Sequence, residues 1–242
     1  MFYSQQGEDV YIHKNFVNTY ASDGVFVEIG GFDGVTYSNT KFFEDTLGFK
    51  GVLIEPTIQY KLMVRNRPNC DNYNYAVAKT RGHIDFIGNG AVAGAIATLN
   101  PAIRTAYYPS GTPTYKVEAM PFKNILNMSN IHYIDILSID VEGAELTVLE
   151  TFDFAIPVYI IVIELHENEV QKCEMCRDIL RENGFKLDRR LTCNEFWVNK
   201  SYERKERLFD IRNTPSYACI EDVPNYHTIE SHCRSEVFDS IR

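Results

Sequence analysis

The sequence predicts an α/β fold: a doubly wound, mostly parallel sheet with an antiparallel closing hairpin. Three observations carry this. Apolar runs alternate with helical patterns along residues 25–165, the rhythm of βαβ units. The runs are apolar nearly throughout, as strands covered on both faces must be. The last two strand-like segments, 185–190 and 196–199, lie close enough to form a hairpin.

Taken in order, Val10, Ile12, Phe16 and Val17 share one helical face behind a polar turn at 4–9 that can cap it. Strand one is 25–29. Ser38, Asn39 and Thr40 can cap a helix bearing Phe42, Phe43 and Leu47, with Gly48 as its stop. Strand two is 51–55. A helix at 59–66 halts before Pro68, and strand three is 73–78. Thr80-Arg81-Gly82 turns the chain into an extra strand at 84–87. Residues 88–115 are rich in Gly, Ala and Pro and show no steady period, so they read as a long loop, either a substrate-side lid or a surface excursion. A short strand at 117–122 and a helical turn at 123–128 precede strand four at 134–140. A helix at 144–150, strand five at 158–165 and a helix ending at Gly184 complete the pattern before the hairpin.

The chain has 242 residues, a net charge of −9 and 45% hydrophobic residues, which suits a globular protein with a full core. No repeat or linker divides it, so residues 1–200 are expected to form one domain and 201–242 an extension of it. The acidic balance argues against a nucleic-acid partner. The longest apolar run, 156–165, is too short to span a bilayer. The N-terminus lacks the basic and apolar regions of a signal peptide, so a reduced, cytoplasmic setting is expected. The six cysteines therefore do not read as a disulfide framework, and Cys173 and Cys176 read as thiols on one helix rather than as zinc ligands.

The stretch VFVEIGGFDGVTYSNTKFFEDTLGFKGVLIEP sets Glu28 and a glycine turn (Gly30, Gly31, Asp33, Gly34) at the end of strand one and Glu55 at the end of strand two. Ligands of open parallel sheets bind at these strand ends. An acid closing strand two suits ribose hydroxyls, which fits a dinucleotide or S-adenosylmethionine. Pyrophosphate needs G-x-G-x-x-G, whereas here Asp33 stands where phosphate would sit. Glu28 and Asp33 together favour a cationic sulfonium ligand. An NAD-dependent oxidoreductase and a non-catalytic Rossmann-like binding module, its acids serving only as caps, are the alternatives.

SQQGED, FVEIGGFDGVTYSNT, GFKGVLIEP, NRPNC, IDILSIDVEGAELTVLETFDF, IELHE and NEFWVNK occur in this order across residues 4–200. Together they resemble the FkbM family of S-adenosylmethionine-dependent O-methyltransferases. The resemblance implies a class I methyltransferase fold, a seven-stranded sheet with a reversed last hairpin, and methyl transfer to hydroxyls of macrolides or glycan sugars. It places Glu28, Gly30, Asp33 and Gly34, with Gly31 among them, on the methionine side of the cofactor. Glu55 falls at the ribose, Pro56 and the residues around Ala76 beside the adenine, Ser38 and Asn39 at the pocket wall, and Gln5 at the end of an N-terminal arm. Phe32 stands where the family commonly has Asn, so no contact is carried over there.

Methylating an alcohol needs a base, in-line placement and exclusion of water. Asp140, at the tip of strand four and next to strand one in this fold, is the candidate base or metal ligand, with His166 the alternative base. Glu142 and Glu164 stand at neighbouring strand ends. Asp140, Glu142 and Glu164 together could hold a divalent cation such as Mg2+ that lowers the hydroxyl pKa. Structural duties compete with these roles: a turn with a capping acid at Glu142-Gly143, a hydrogen bond for His166, and helix-terminus placement for Glu145. The expected acceptor is a sugar hydroxyl of a glycan or glycoside, or another small hydroxylated molecule. Tyr107, Tyr108 and Tyr115 either stack on that sugar or pack internally, and the tail after Ser201 is available for self-association.

Overall fold

The computed structural model describes residues 1–18, 21 and 23–204. The chain runs α1 (Glu8–Asn15), β1 (Val25–Ile29), α2 (Lys41–Leu47), β2 (Lys50–Ile54), α3 (Tyr60–Asn66) and β3 (Asp71–Tyr73). It continues through β4 (Ala76–Val77), β5 (Gly82–Ile87), β6 (Gly94–Ala95), α4 (Pro101–Tyr107), β7 (Thr114–Met120) and α5 (Phe122–Leu126). It closes with β8 (Ile134–Ile139), α6 (Glu145–Thr151), β9 (Val158–Glu164), α7 (Val170–Glu182), β10 (Lys186–Leu191) and β11 (Asn194–Val198).

The main sheet has seven strands in the order β10-β11-β9-β8-β1-β2-β3. From β9 to β3 all pairings are parallel. This is the class I methyltransferase arrangement, a Rossmann-like doubly wound sheet. Strand alternation divides the core between its two faces. Val27, Val52, Leu137 and Ile161 pack under α5, α6 and α7, whereas Phe26, Leu53, Ile136 and Ile160 pack with residues of α1, α2 and α3. After β3 the chain returns to the other side of β1, so the strand order switches between β1 and β8. The crevice at such a switch point is where open α/β sheets bind ligands.

The antiparallel closing hairpin forms as expected. β11 alone runs antiparallel to β9 and lies inside the sheet, and β10 is the edge strand. The polar run of β10 (KLDRRL), largely exposed, suits that position better than the buried NEFWV of β11.

Two expectations are corrected. The segment 73–78 is two strands in two sheets: β3 closes the main sheet and β4 joins a separate four-stranded sheet, β4-β7-β5-β6. Between them Asn74 Nδ2 donates to the Glu55 carbonyl at 2.7 Å, ending the ladder along β2. The segment 88–115 is not a plain loop. It contains β6 and α4, and Asn100 starts α4 by accepting from the Ala102 amide at 2.9 Å, with Pro101 in the first turn.

No helix among the described residues is long and apolar enough to cross a membrane. Cys173 and Cys176 are buried free thiols on α7, and Cys173 Sγ donates to the His166 carbonyl at 3.2 Å. At the start of the expected extension, Tyr202 is buried, stacks on Tyr159 and donates to Asp135 Oδ1 at 2.7 Å. Nearly all of the remainder, and the tail expected to support self-association, lies outside the described residues.

Candidate active site

A cavity opens at the carboxyl ends of β1, β2 and β8. Gln5, Glu28, Gly30, Gly31, Ser38, Asn39, Glu55, Pro56, Ala76 and Asp140 all line it, as do Glu142 and Glu164. Asp33, Gly34 and His166 do not.

The floor is backbone. Gly30 and Gly31 both donate to the Ile54 carbonyl, at 2.9 and 3.1 Å. Gly30 has φ +86, and a Cβ there would run into the carbonyl oxygen of Asp140. A side chain at this position would separate β1 from β8, so the close approach requires glycine.

Glu28 supports the wall rather than facing a ligand alone. It accepts from Ser38 Oγ at 2.8 Å, the Asn39 amide at 2.8 Å and Thr40 Oγ1 at 2.6 Å, which fixes the entry to α2. The fully buried Arg67 approaches it to 3.6 Å and also pairs with Glu44. Asn39 Nδ2 reaches across to Ser138 Oγ on β8 at 3.0 Å.

Asp33 is used within its own turn. Its Oδ1 accepts from the Val35 and Thr36 amides at 2.9 and 2.7 Å, and its Oδ2 from Thr36 Oγ1 at 2.7 Å. The expected acidic pocket of Glu28 and Asp33 is therefore corrected. Local hydrogen bonds hold Asp33 away from the cavity, and Arg67 offsets Glu28. Gly34 follows Asp33 out of the cavity and packs on Arg67 and Met63.

Glu55 is nearly enclosed. Its Oε2 accepts from the Phe32 amide at 2.9 Å and its Oε1 from the Thr57 amide at 2.7 Å. Burial pushes its pKa up, against these hydrogen bonds, which favour the charged form. Phe32 thus acts through its backbone, held at φ +45. Tyr37 (φ +62) and Glu142 (φ +53) also line the cavity in the left-handed region. Such conformations cost about 1 kcal/mol or more each and tend to gather at functional sites.

The opposite end of the cavity holds the acids of β8 and β9. One ligand atom each from Asp140, Glu142 and Glu164 lies within 4.8 Å of the others. Asp140 is accessible, but into the cavity. Burial, then Glu164 and Glu142, push its pKa well above the usual carboxylate range. Burial followed by Glu164 pushes Glu142 up to about 8. Burial opposes charge on Glu164 too, but His166 and Cys193 outweigh it and hold its pKa down. At separations under 5 Å and an effective dielectric near 20, each like-charged pair carries a Coulomb repulsion of roughly 3 kcal/mol. Without a compensating cation the three therefore carry fewer than three charges.

His166 Nε2 lies 3.3 Å from Glu164 Oε2, and Glu164 draws its pKa up. Cys193 Sγ donates to Glu164 Oε1 at 3.0 Å. Glu145 has a structural position: it accepts from the Gly143 amide at 2.8 Å and from Lys172 Nζ at 3.0 Å.

Tyr75 and Val77 line the cavity on either side of Ala76, as the expectation for that stretch had it. Other lining residues were not foreseen: Phe86 and Ala95 come from the second sheet, and residues 90–93 from the β5–β6 connection. Tyr107, Tyr108 and Tyr115 are not among the lining residues. Two of them anchor that connection instead: Tyr108 donates to the Val92 carbonyl at 2.9 Å and Tyr115 to that of Gly88 at 2.5 Å.

Residues 28–187 match the family model described as Methyltransferase FkbM domain. Comparison with curated proteins gave no match. Among solved structures, the chain is similar to the precorrin-6y C5,15-methyltransferase of Geobacter metallireducens, with 12% identity over 74% of this chain and 80% of that one and a TM-score of 0.38. It is similar to the Aeropyrum pernix fibrillarin solved with S-adenosyl-L-methionine, with 11% identity, 81% and 73% coverage and a TM-score of 0.38. A Bacillus cereus O-methyltransferase in complex with SAH gives 9% identity, 80% and 78% coverage and a TM-score of 0.41. Scores this low carry no weight, and the fold rests on the strand order.

Proposed function

The chain belongs to the FkbM methyltransferase family, and from that premise we propose that it methylates a hydroxyl of a sugar, in a glycan or glycoside, with S-adenosylmethionine as donor. The observation that supports this reading is the separation of acids in one cavity. Glu55 closes β2 on one side of the glycine floor, and Asp140, Glu142 and Glu164 close β8 and β9 on the other.

The residues present suit that donor. Glu55 keeps lone pairs beyond those engaged by Phe32 and Thr57, which two ribose hydroxyls would use. Pro56 and Ala76 border the place for adenine. Gly30 and Gly31 leave room for the methionine chain, with Ser38 and Asn39 as its wall and Gln5 arriving from the N-terminal arm. The negative field that favours a sulfonium comes from the β8 and β9 acids rather than from Asp33.

When bound, S-adenosylmethionine supplies a methyl group that the acceptor oxygen takes as the C–S bond breaks, the electron pair staying on sulfur. The acceptor proton passes to a carboxylate at the strand tips, Asp140 first, whose raised pKa suits it to take and release a proton. The anchored 88–93 connection keeps water from the reacting atoms. His166 does not line the cavity, and its part is to steady Glu164 from behind.

Calorimetric titration with S-adenosylhomocysteine and with NAD tests the donor, and mass-spectrometric detection of methyl gain across glycans and glycosides tests the acceptor. Asp140→Ala is expected to keep S-adenosylhomocysteine binding and to lose at least about 100-fold in turnover. Glu55→Ala is expected to weaken that binding. Binding of NAD alone would overturn the reading.

A further inference from the structure

We infer that Asp140, Glu142 and Glu164 form a binding site for a divalent, oxygen-preferring cation of the Mg2+ or Mn2+ class. Glu142 is 8% exposed, and its Oε2 has no hydrogen-bond partner among the described residues. A carboxylate oxygen that faces an enclosed site without a donor needs a positive partner or a proton. Glu164 Oε2 is buried as well, with His166 Nε2 3.3 Å away as its one charged neighbour among the described ion pairs. These acids come from the tip of β8, the turn after it and the end of β9, so the backbone holds three ligands around one point.

The distances suit a small hard ion. Mg2+ holds oxygens at about 2.0–2.1 Å, so neighbouring ligands lie about 3 Å apart and opposed ones about 4 Å. The three ligand atoms lie within 4.8 Å of one another, close enough for side-chain adjustment to reach that geometry. All three residues also line the cavity, which leaves the remaining coordination positions for water and an acceptor oxygen. A second donor set, Glu164, His166 and Cys193, shares Glu164 and offers softer ligands. However, the Cys193 thiol already donates to Glu164, whereas Glu142 Oε2 has no hydrogen-bond partner among the described residues.

The cation would lower the pKa of a bound hydroxyl and so ease the loss of its proton at the strand tips. This consequence, though not the binding site itself, rests on the proposed methyl transfer.

The test is titration of chelator-treated full-length protein with Mn2+, followed by electron paramagnetic resonance. Titration with S-adenosylhomocysteine in parallel reports the donor site, and Trp197 emission reports folding. The wild-type chain is expected to bind one Mn2+. Glu142→Gln and Glu164→Gln should each weaken it at least about tenfold, since even outer-shell changes cost that much, while binding of S-adenosylhomocysteine by Glu142→Gln stays within about twofold. No Mn2+ bound at about 1 mM, the weak end of oxygen-ligand sites, would overturn the assignment. So would equal binding by folded variants, or a site that takes only Zn2+ and is lost in Cys193→Ser. Loss of S-adenosylhomocysteine binding with Mn2+ binding intact would count against the donor reading instead.

Discussion

Glu142 concentrates the backbone and electrostatic cost of this site in one residue. It sits at φ +53, is almost enclosed, and has its pKa pushed up to about 8 by burial and by Glu164. A carboxyl whose pKa in the folded chain lies above that of the unfolded chain stabilises the fold fully below the unfolded value, near 4.3, and loses that contribution as pH rises through the folded value. In chelator-treated protein, stability is therefore expected to fall between about pH 5 and 8 by more in the wild type than in Glu142→Gln, which has no proton to lose. Thermal melts across that range give the comparison, and parallel curves would contradict the assignment. Other residues were legible in the sequence for a simple reason: a parallel strand with a known end fixes where its last acid lies, as for Glu55 and Asp140. Asp33 misled because an aspartate two and three residues before free amides bonds them in preference to a ligand. Arg67 gave no signal, since nothing local marks a buried cation whose partner Glu28 lies on another element.

Among the elements, α4 is the one that sequence periodicity hid. Its start was legible: Asn100 followed by Pro101 is a cap and a first-turn proline. The short, exposed helix after it has no apolar stripe to detect. The second sheet was hidden for a related reason, as β4 and β6 are only two residues each. Such strands are set by tertiary pairing rather than by pattern. Asn100 ties this region to the active-site side of the fold. It is 1% exposed and donates to Asn168 Oδ1 and Glu169 Oε2, both at 3.0 Å. Asn100→Ala is expected to cost about 1–2 kcal/mol, for the lost cap and the stranded partners. Hydrogen exchange should speed up across 94–107 while β1 and β8 keep their protection. Uniform acceleration over the main sheet would mean that α4 is not a separable element.

At the largest scale, the described residues form two sheets sharing one cavity. The main sheet supplies the glycine floor and both acid groups, and the second sheet supplies Phe86 and Ala95. A ligand filling that cavity must stabilise the native chain, because the unfolded chain has no such site. At one hundred times its Kd the gain is about 2.7 kcal/mol, which for a chain of this size raises Tm by roughly 5–10 °C. Trp197, the single tryptophan and a buried member of the main core, reports the transition. S-adenosylhomocysteine is expected to produce this rise and NAD to produce none. The shared wall makes a sharper demand. Exchange should slow in β5, which carries Phe86, as well as in β2, which leads into Glu55. Slowing confined to β1 and β2 would mean that the second sheet borders the cavity without closing on the ligand. Slowing in both would mean that the second sheet closes on the ligand together with the residues around Ala76, which the family resemblance puts beside the adenine.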